Sequence, residues 1–190
     1  NNGGVNGVIG DWDVSQVTDM SRIFMSWNLE TSSHESHESP LNWFFNADIS
    51  KWETKRVTKM VMMFAFTGFG GDEAVFNSDV SKWDTSSVTD TSFMFSGAKA
   101  FNSDVSKWNI KNLINMQNMF EYAETFNSDV SKWITSSVTT MSQTFHNAKA
   151  FNSDLSKWDT KSVTTMSGMV SGVRFYTCLS ITYWKIDAYS

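Results

Sequence analysis

Apolar and polar positions along this chain recur with a period of 25 residues. Taking each tryptophan as an origin, Trp12, Trp52, Trp83, Trp108, Trp133 and Trp158 fall into register. An aliphatic residue stands three positions before each (Ile9, Ile49, Val80, Val105, Val130, Leu155), and another stands five after (Val17, Val57, Val88, Leu113, Val138, Val163). Eight after comes Met20, Met60, Met116, Met141 or Met166, with Thr91 the exception. Twelve after comes Phe24, Phe64, Phe95, Phe120 or Phe145, with Val170 in the last copy. The octet FNSDVSKW is spelled at 76–83, 101–108 and 126–133, and again as FNSDLSKW at 151–158. A fixed period of this length is the signature of a repeat architecture. One such unit is too small to bury its own Trp, Val, Met and Phe, but stacked units bury them against their neighbours.

The apolar residues five, eight, twelve and fifteen after Trp, as in Val138, Met141, Phe145 and Ala148, lie on one face of an α-helix. The stretch SDVSKW alternates polar and apolar residues and reads as a short strand. Ser and Thr between the two are suitable N-caps, with a fuller capping box at Ser87 and Asp90. The expected fold class is therefore a right-handed α/β solenoid. It would have about six or seven 25-residue coils, each with one short parallel strand and one short helix, at the roughly 5 Å spacing of a parallel sheet.

Two departures from the period mark insertions. The spacing is 40 from Trp12 to Trp52 and 31 from Trp52 to Trp83, which places insertions near 28–43 and 68–75. Both fall at the same phase of the repeat, and so on one edge of the stack. The expected organisation is a repeat solenoid over 1–174 followed by a degenerate terminal coil or cap at 175–190, where Ile181 and Trp184 keep their places in poorly matching surroundings.

Composition narrows the function. The formal net charge of −5 and a pI near 5.1 lack the basic excess that a nucleic-acid partner requires. No stretch reaches the roughly 18 to 20 apolar residues of a transmembrane span, and NNGGVNGVIGDWD lacks a signal pattern, so the chain reads as a mature or excised segment. Cys178 is the one cysteine, which excludes an intrachain disulfide and leaves stability to packing.

If Val80, Val105, Val130 and Leu155 point into the core, the flanking Asp79, Asp104, Asp129 and Asp154 and Ser81, Ser106, Ser131 and Ser156 point outward, and Asp48 and Ser50 extend both rows. These ten residues form the candidate binding face. Stacked carboxylates repel, and the row Lys51, Lys82, Lys107, Lys132 and Lys157 could supply the countercharge; a solvated face and a calcium ladder are the other readings. The row Asn46, Asn77, Asn102, Asn127 and Asn152 reads as side chains bonding backbone at a turn once per coil. The Trp row reads as core, with a sugar-stacking platform as its alternative. Thr18, Thr58, Thr89, Thr139 and Thr164 form a further row, set in the expected helix and not on the flat face an ice-binding surface would need. In HESHES, His34, Glu35, His37 and Glu38 are compatible with a metal but lack a third ligand at a recognised spacing. His146 is isolated, and GFGGDE lacks the setting and the lysine of a phosphate loop. No catalytic residue, cofactor or metal is expected.

The residues DVSKWDTSSVTDTSFMFSGAKAFN at 79–102 and DVSKWITSSVTTMSQTFHNAKAFN at 129–152 resemble the bacterial surface-protein repeat of mycoplasma and listeria lipoproteins and of BspA-type leucine-rich surface antigens, seen also in marine algae. The resemblance runs over nearly all of 5–170; the HESHESP loop, Thr91, Val170 and the weak final coil depart from it. It implies a leucine-rich-repeat-like solenoid that serves as a non-enzymatic interaction or adhesion module, on a cell surface or extracellular, with a protein or glycan partner. The alternative is a structural subunit of a larger filament or complex, with neighbouring subunits as partners.

Overall fold

The computed structural model describes residues 8–25, 45–65 and 75–174. Across them each 25-residue unit stacks on the next, but the units are not built as the apolar spacing suggests. Among the described residues there is no α-helix and no run of strand. Regular structure is limited to one 3-10 turn, Ile9–Asp11, and to single parallel bridges joining Asp19 to Lys59, Lys59 to Asp90, Asp90 to Asn115, Asn115 to Thr140 and Thr140 to Thr165. The expected α/β, leucine-rich-repeat-like solenoid with a helix and a strand in each coil is thereby overturned. The coils are chains of β-turns.

The reason lies in where the backbone N–H groups go. A helix beginning near Leu113, or near its equivalent in any other coil, would return every N–H to the carbonyl four residues back. Instead the N–H groups of Met116, Asn118, Phe120 and Tyr122 donate to the carbonyls of Thr140, Ser142, Thr144 and His146 in the next coil, at 2.8–3.1 Å. Met141, Gln143, Phe145 and Asn147 do the same to Thr165, Ser167, Met169 and Ser171. Between these rungs the chain folds back on itself: the N–H of Met119 bonds Met116, that of Glu121 bonds Asn118 and that of Ala123 bonds Phe120.

Such tight turning needs left-handed residues. The residue ten after Trp has positive φ in every coil (Arg22, Met62, Phe93, Asn118, Gln143, Gly168; 54° to 64°), and so has the residue fourteen after Trp at Gly97, Tyr122, Asn147 and Gly172. A left-handed residue every four positions is incompatible with a right-handed helix. Successive turns thus satisfy the same three- and four-residue apolar spacing that a helix would. The expected strand is likewise two turns: Asp129 Oδ1 accepts the Ser131 N–H at 2.9 Å, and the Trp133 N–H closes on the Val130 carbonyl at 3.1 Å.

Inside the stack run columns of aromatic rings. Phenylalanines twelve after one Trp and seven before the next lie face to face, Phe95 on Phe101 at 3.8 Å and Phe120 on Phe126 at 3.9 Å. Rings at equivalent positions of adjacent coils are 5.5 Å apart for Phe64 and Phe95 and 5.7 Å for Phe120 and Phe145. Phe24 and Phe45, the two sides of the longer insertion, stack at 3.9 Å, as do Phe64 and Phe76 around the shorter one. The rings flanking each insertion therefore keep the stacking seen between coils that have none.

The tryptophans from Trp52 to Trp158 are buried, as their phase suggests, whereas Trp12 in the first coil is 43% exposed. Each buried indole donates its Nε1–H to a carbonyl in the preceding coil: Trp52 to Ile9, Trp83 to Ile49, Trp108 to Val80, Trp133 to Val105 and Trp158 to Val130, at 3.0–3.2 Å. A buried indole N–H left without an acceptor would cost about 1–3 kcal/mol, so this bond explains why Trp, and not another large apolar residue, recurs at the position.

Candidate functional site

The candidate face is built from the turn at the start of each coil. Val80, Val105, Val130 and Leu155 are buried, while Asp48, Asp79, Asp104, Asp129 and Asp154 are exposed, and Ser50, Ser81, Ser106, Ser131 and Ser156 are half-buried or exposed. Each aspartate caps its own turn, Oδ1 accepting the N–H of the serine two residues on: Ser50, Ser81, Ser106, Ser131 and Ser156, at 2.8–2.9 Å. The hydrogen bond from the serine side chain, and then that from its N–H, holds the carboxyls of Asp48, Asp79, Asp104 and Asp129 below their ordinary value of 3.8; at Asp154 the N–H contributes most.

The lysine row does not neutralise these aspartates by direct pairing. Among the described residues the ion pairs are Lys51 with Asp11 at 3.9 Å and Lys149 with Glu124 at 2.7 Å. Lys82, Lys107 and Lys132 act on their neighbouring aspartates only at longer range, as lesser contributions to the lowered carboxyl values. The face therefore carries an outward row of carboxylates beside an outward row of ammonium groups.

The same capping recurs elsewhere in the coil. Asp13 and Asp84 bond the N–H groups of Ser15 and Ser86, and Asp19 and Asp90 those of Ser21 and Ser92. The side-chain hydrogen bond from serine is the first cause lowering the carboxyls of Asp13, Asp19 and Asp84. A carboxyl lowered in the folded state contributes stability that is present above its unfolded value and lost as pH falls through the folded value. We expect denaturant midpoints to hold steady from pH 7 to about 5 and to drop continuously below about 4. A midpoint unchanged at pH 3 would contradict these bonds.

Two further rows are structural. Asn46, Asn77, Asn102 and Asn127 each accept, through Oδ1, the backbone N–H of the asparagine one coil on, at 2.8–2.9 Å, so this row bonds backbone once per coil as its regularity suggests. The Thr row lies outside any helix: Thr58, Thr89, Thr139 and Thr164 donate their hydroxyls to the carbonyls of Thr18, Thr58, Ile114 and Thr139.

One row escaped the sequence reading. Ser103, Ser128 and Ser153 accept the N–H groups of Val80, Val105 and Val130 in the preceding coil at 3.0–3.1 Å, and Ser128 and Ser153 donate to Asp104 and Asp129. The repeated Ser in the octet was its signal, and these serines bind the candidate aspartates to the frame of the coil.

His34, Glu35, His37 and Glu38 lie outside the described residues. His146 Nε2 stands 2.7 Å from Asn147 Nδ2, and its ring meets Tyr122 edge-on. Among the described residues no three His, Cys, Asp or Glu side chains are grouped to hold a metal ion, and no helix is long and apolar enough to cross a membrane.

A family model described as "Mycoplasma protein of unknown function, DUF285" matches residues 1–72, 41–131 and 66–184, three overlapping stretches that together span nearly the whole chain. No curated protein and no solved structure matches it.

Proposed function

The chain belongs to this family of mycoplasma-type repeat proteins, and from that premise we propose that it is a non-enzymatic interaction module, displayed on a cell surface or outside the cell, that binds a protein or glycan along its face of Asp, Ser and Lys rows. The observation that carries this reading is the division of labour within the coil. Backbone rungs, indole bonds and the Asn and inner Ser rows are consumed in stacking, whereas Asp79, Asp104 and Asp129 stay exposed, each fixed by its bond from the serine two residues on. Rigid, regularly spaced side chains lose little freedom on binding, and concave repeat stacks use such surfaces for partners.

The test must remove charge without breaking the turn. Asn109 and Asn115 already cap turns here as asparagines, accepting the N–H groups of Lys111 and Gln117 at 3.3 and 3.0 Å. The triple substitution Asp79→Asn, Asp104→Asn, Asp129→Asn therefore keeps the fold and neutralises the row. Immobilised chain should capture intact cells or array-bound glycans and proteins saturably, and the triple variant should bind at least about tenfold more weakly. Equal binding by the variant, or no binding by the parent chain to cells, arrays or a second copy of itself, would remove the reading.

A further inference from the structure

We infer that the partner of this face is a second copy of the chain, packed face to face with the two stacks parallel and a twofold axis running along them. This rests on the proposal that the Asp, Ser and Lys rows are the interaction surface, and it names what they meet. On one copy Asp79, Asp104 and Asp129 form a column beside the column of Lys82, Lys107 and Lys132, all six residues exposed. Among the described residues these lysines form no ion pair. The aspartates are held as carboxylates by bonds from their serines.

A polyanion laid along the lysines would be repelled by the aspartates next to them, and a polycation by the reverse. The partner that fits carries both signs, in adjacent columns, at the pitch of the coil. Equivalent rings of adjacent coils stand 5.5 to 6.3 Å apart, Phe64 and Phe95 at 5.5 Å and Trp52 and Trp83 at 6.3 Å. A second copy meets the requirement by construction. Rotation about an axis along the stack exchanges left and right on the facing surface, so the Asp column of each copy meets the Lys column of the other, coil after coil. A twofold axis across the stack would set Asp on Asp and Lys on Lys. The symmetry is thus fixed by the order of the columns, and the interface is isologous.

Each exposed pair is weak and screened by salt, so the association should be reversible and salt-sensitive. Sedimentation of the whole 190-residue chain should show a dimer at low ionic strength whose dissociation constant rises at least about tenfold between roughly 20 and 300 mM salt. Lys82→Gln, Lys107→Gln, Lys132→Gln should be monomeric throughout. Lys55→Gln, Lys111→Gln, Lys161→Gln makes the same change in net charge on the next turn of the coils of Trp52, Trp108 and Trp158 and should still dimerise, which separates face pairing from general repulsion. A monomer at all salt concentrations, or a dimer that survives the first triple substitution, would overturn the inference. If the monomeric chain nevertheless captures cells or array ligands through its Asp row, only the identity of the partner falls; if capture fails as well, the interaction reading falls with it.

Discussion

Replacing Phe120 with alanine should lower the free energy of unfolding by about 4 kcal/mol, a loss shared by the other fully buried rings of the columns. Phe120 is fully buried, lies on Phe126 at 3.9 Å, and is flanked by Phe95 at 5.5 Å and Phe145 at 5.7 Å. Removing it opens a cavity between coils whose other rings are fixed in columns and cannot close around the gap. The total stability of a domain is only about 5–15 kcal/mol, so the variant should sit near the edge of folding at 37 °C. Because each coil couples only to its neighbours, the break in the middle should also broaden the urea transition as the two halves lose cooperation. A loss below about 1.5 kcal/mol with an unchanged transition width would mean that the ring columns are not packed as described.

Gly10→Ala should have a smaller effect, and of a different kind. An added Cβ would collide with the backbone carbonyl oxygen of Asp48 in the second coil. A main-chain oxygen has no rotamer through which to retreat, and overpacking of this sort costs about 1–3 kcal/mol. The first coil should lift from the second, releasing the bonds that Met20, Arg22 and Phe24 make to Lys59, Val61 and Met63. Amide exchange should accelerate at Met20, Arg22 and Phe24 and remain slow at Phe120 and Phe145. Uniform acceleration along the chain would instead show that the stack unfolds as one unit and that nearest-neighbour coupling does not describe it.

The repeat and the core were legible because burial acts on side chains, and side chains are what a sequence lists. The Trp, Val, Met and Phe columns, the outward Asp row and the once-per-coil Asn bond all follow from position alone. The backbone path was not legible. Apolar spacings of three and four residues are shared by a helix and by consecutive turns, and what separates the two is the left-handed residue at each corner. At Gly97, Gly168 and Gly172 that residue announces itself. At Arg22, Met62, Phe93, Tyr122 and Gln143 it does not, because inter-coil hydrogen bonds hold ordinary residues in a conformation they would not choose. The alternation in SDVSKW misled in the same way, since an aspartate-capped turn followed by a β-turn also sends Ser78 and Val80 inward with Asp79 outward between them, before Trp83 turns in three residues on. On the candidate face, the aspartates were visible, but not their capping role, which depends on the backbone conformation.

A chain that spells one interface again and again risks closing on the wrong copy. Two blemishes in the repeat guard against that error. Thr91 stands where its column has methionine and donates its hydroxyl to Met119 Sδ at 3.2 Å; Thr144 stands where the facing column has methionine and donates to the carbonyls of Met116 and Met141 at 3.0 and 2.8 Å. Every adjacent pair of coils thereby brings at least one methionine to this junction. Were the coil of Trp83 to skip a unit and settle on that of Trp133, Thr91 would face Thr144 and leave a hole where a methionine belongs, at a cost of about 2 kcal/mol. The two threonines, which look like decay of the pattern, would penalise that one slipped pairing.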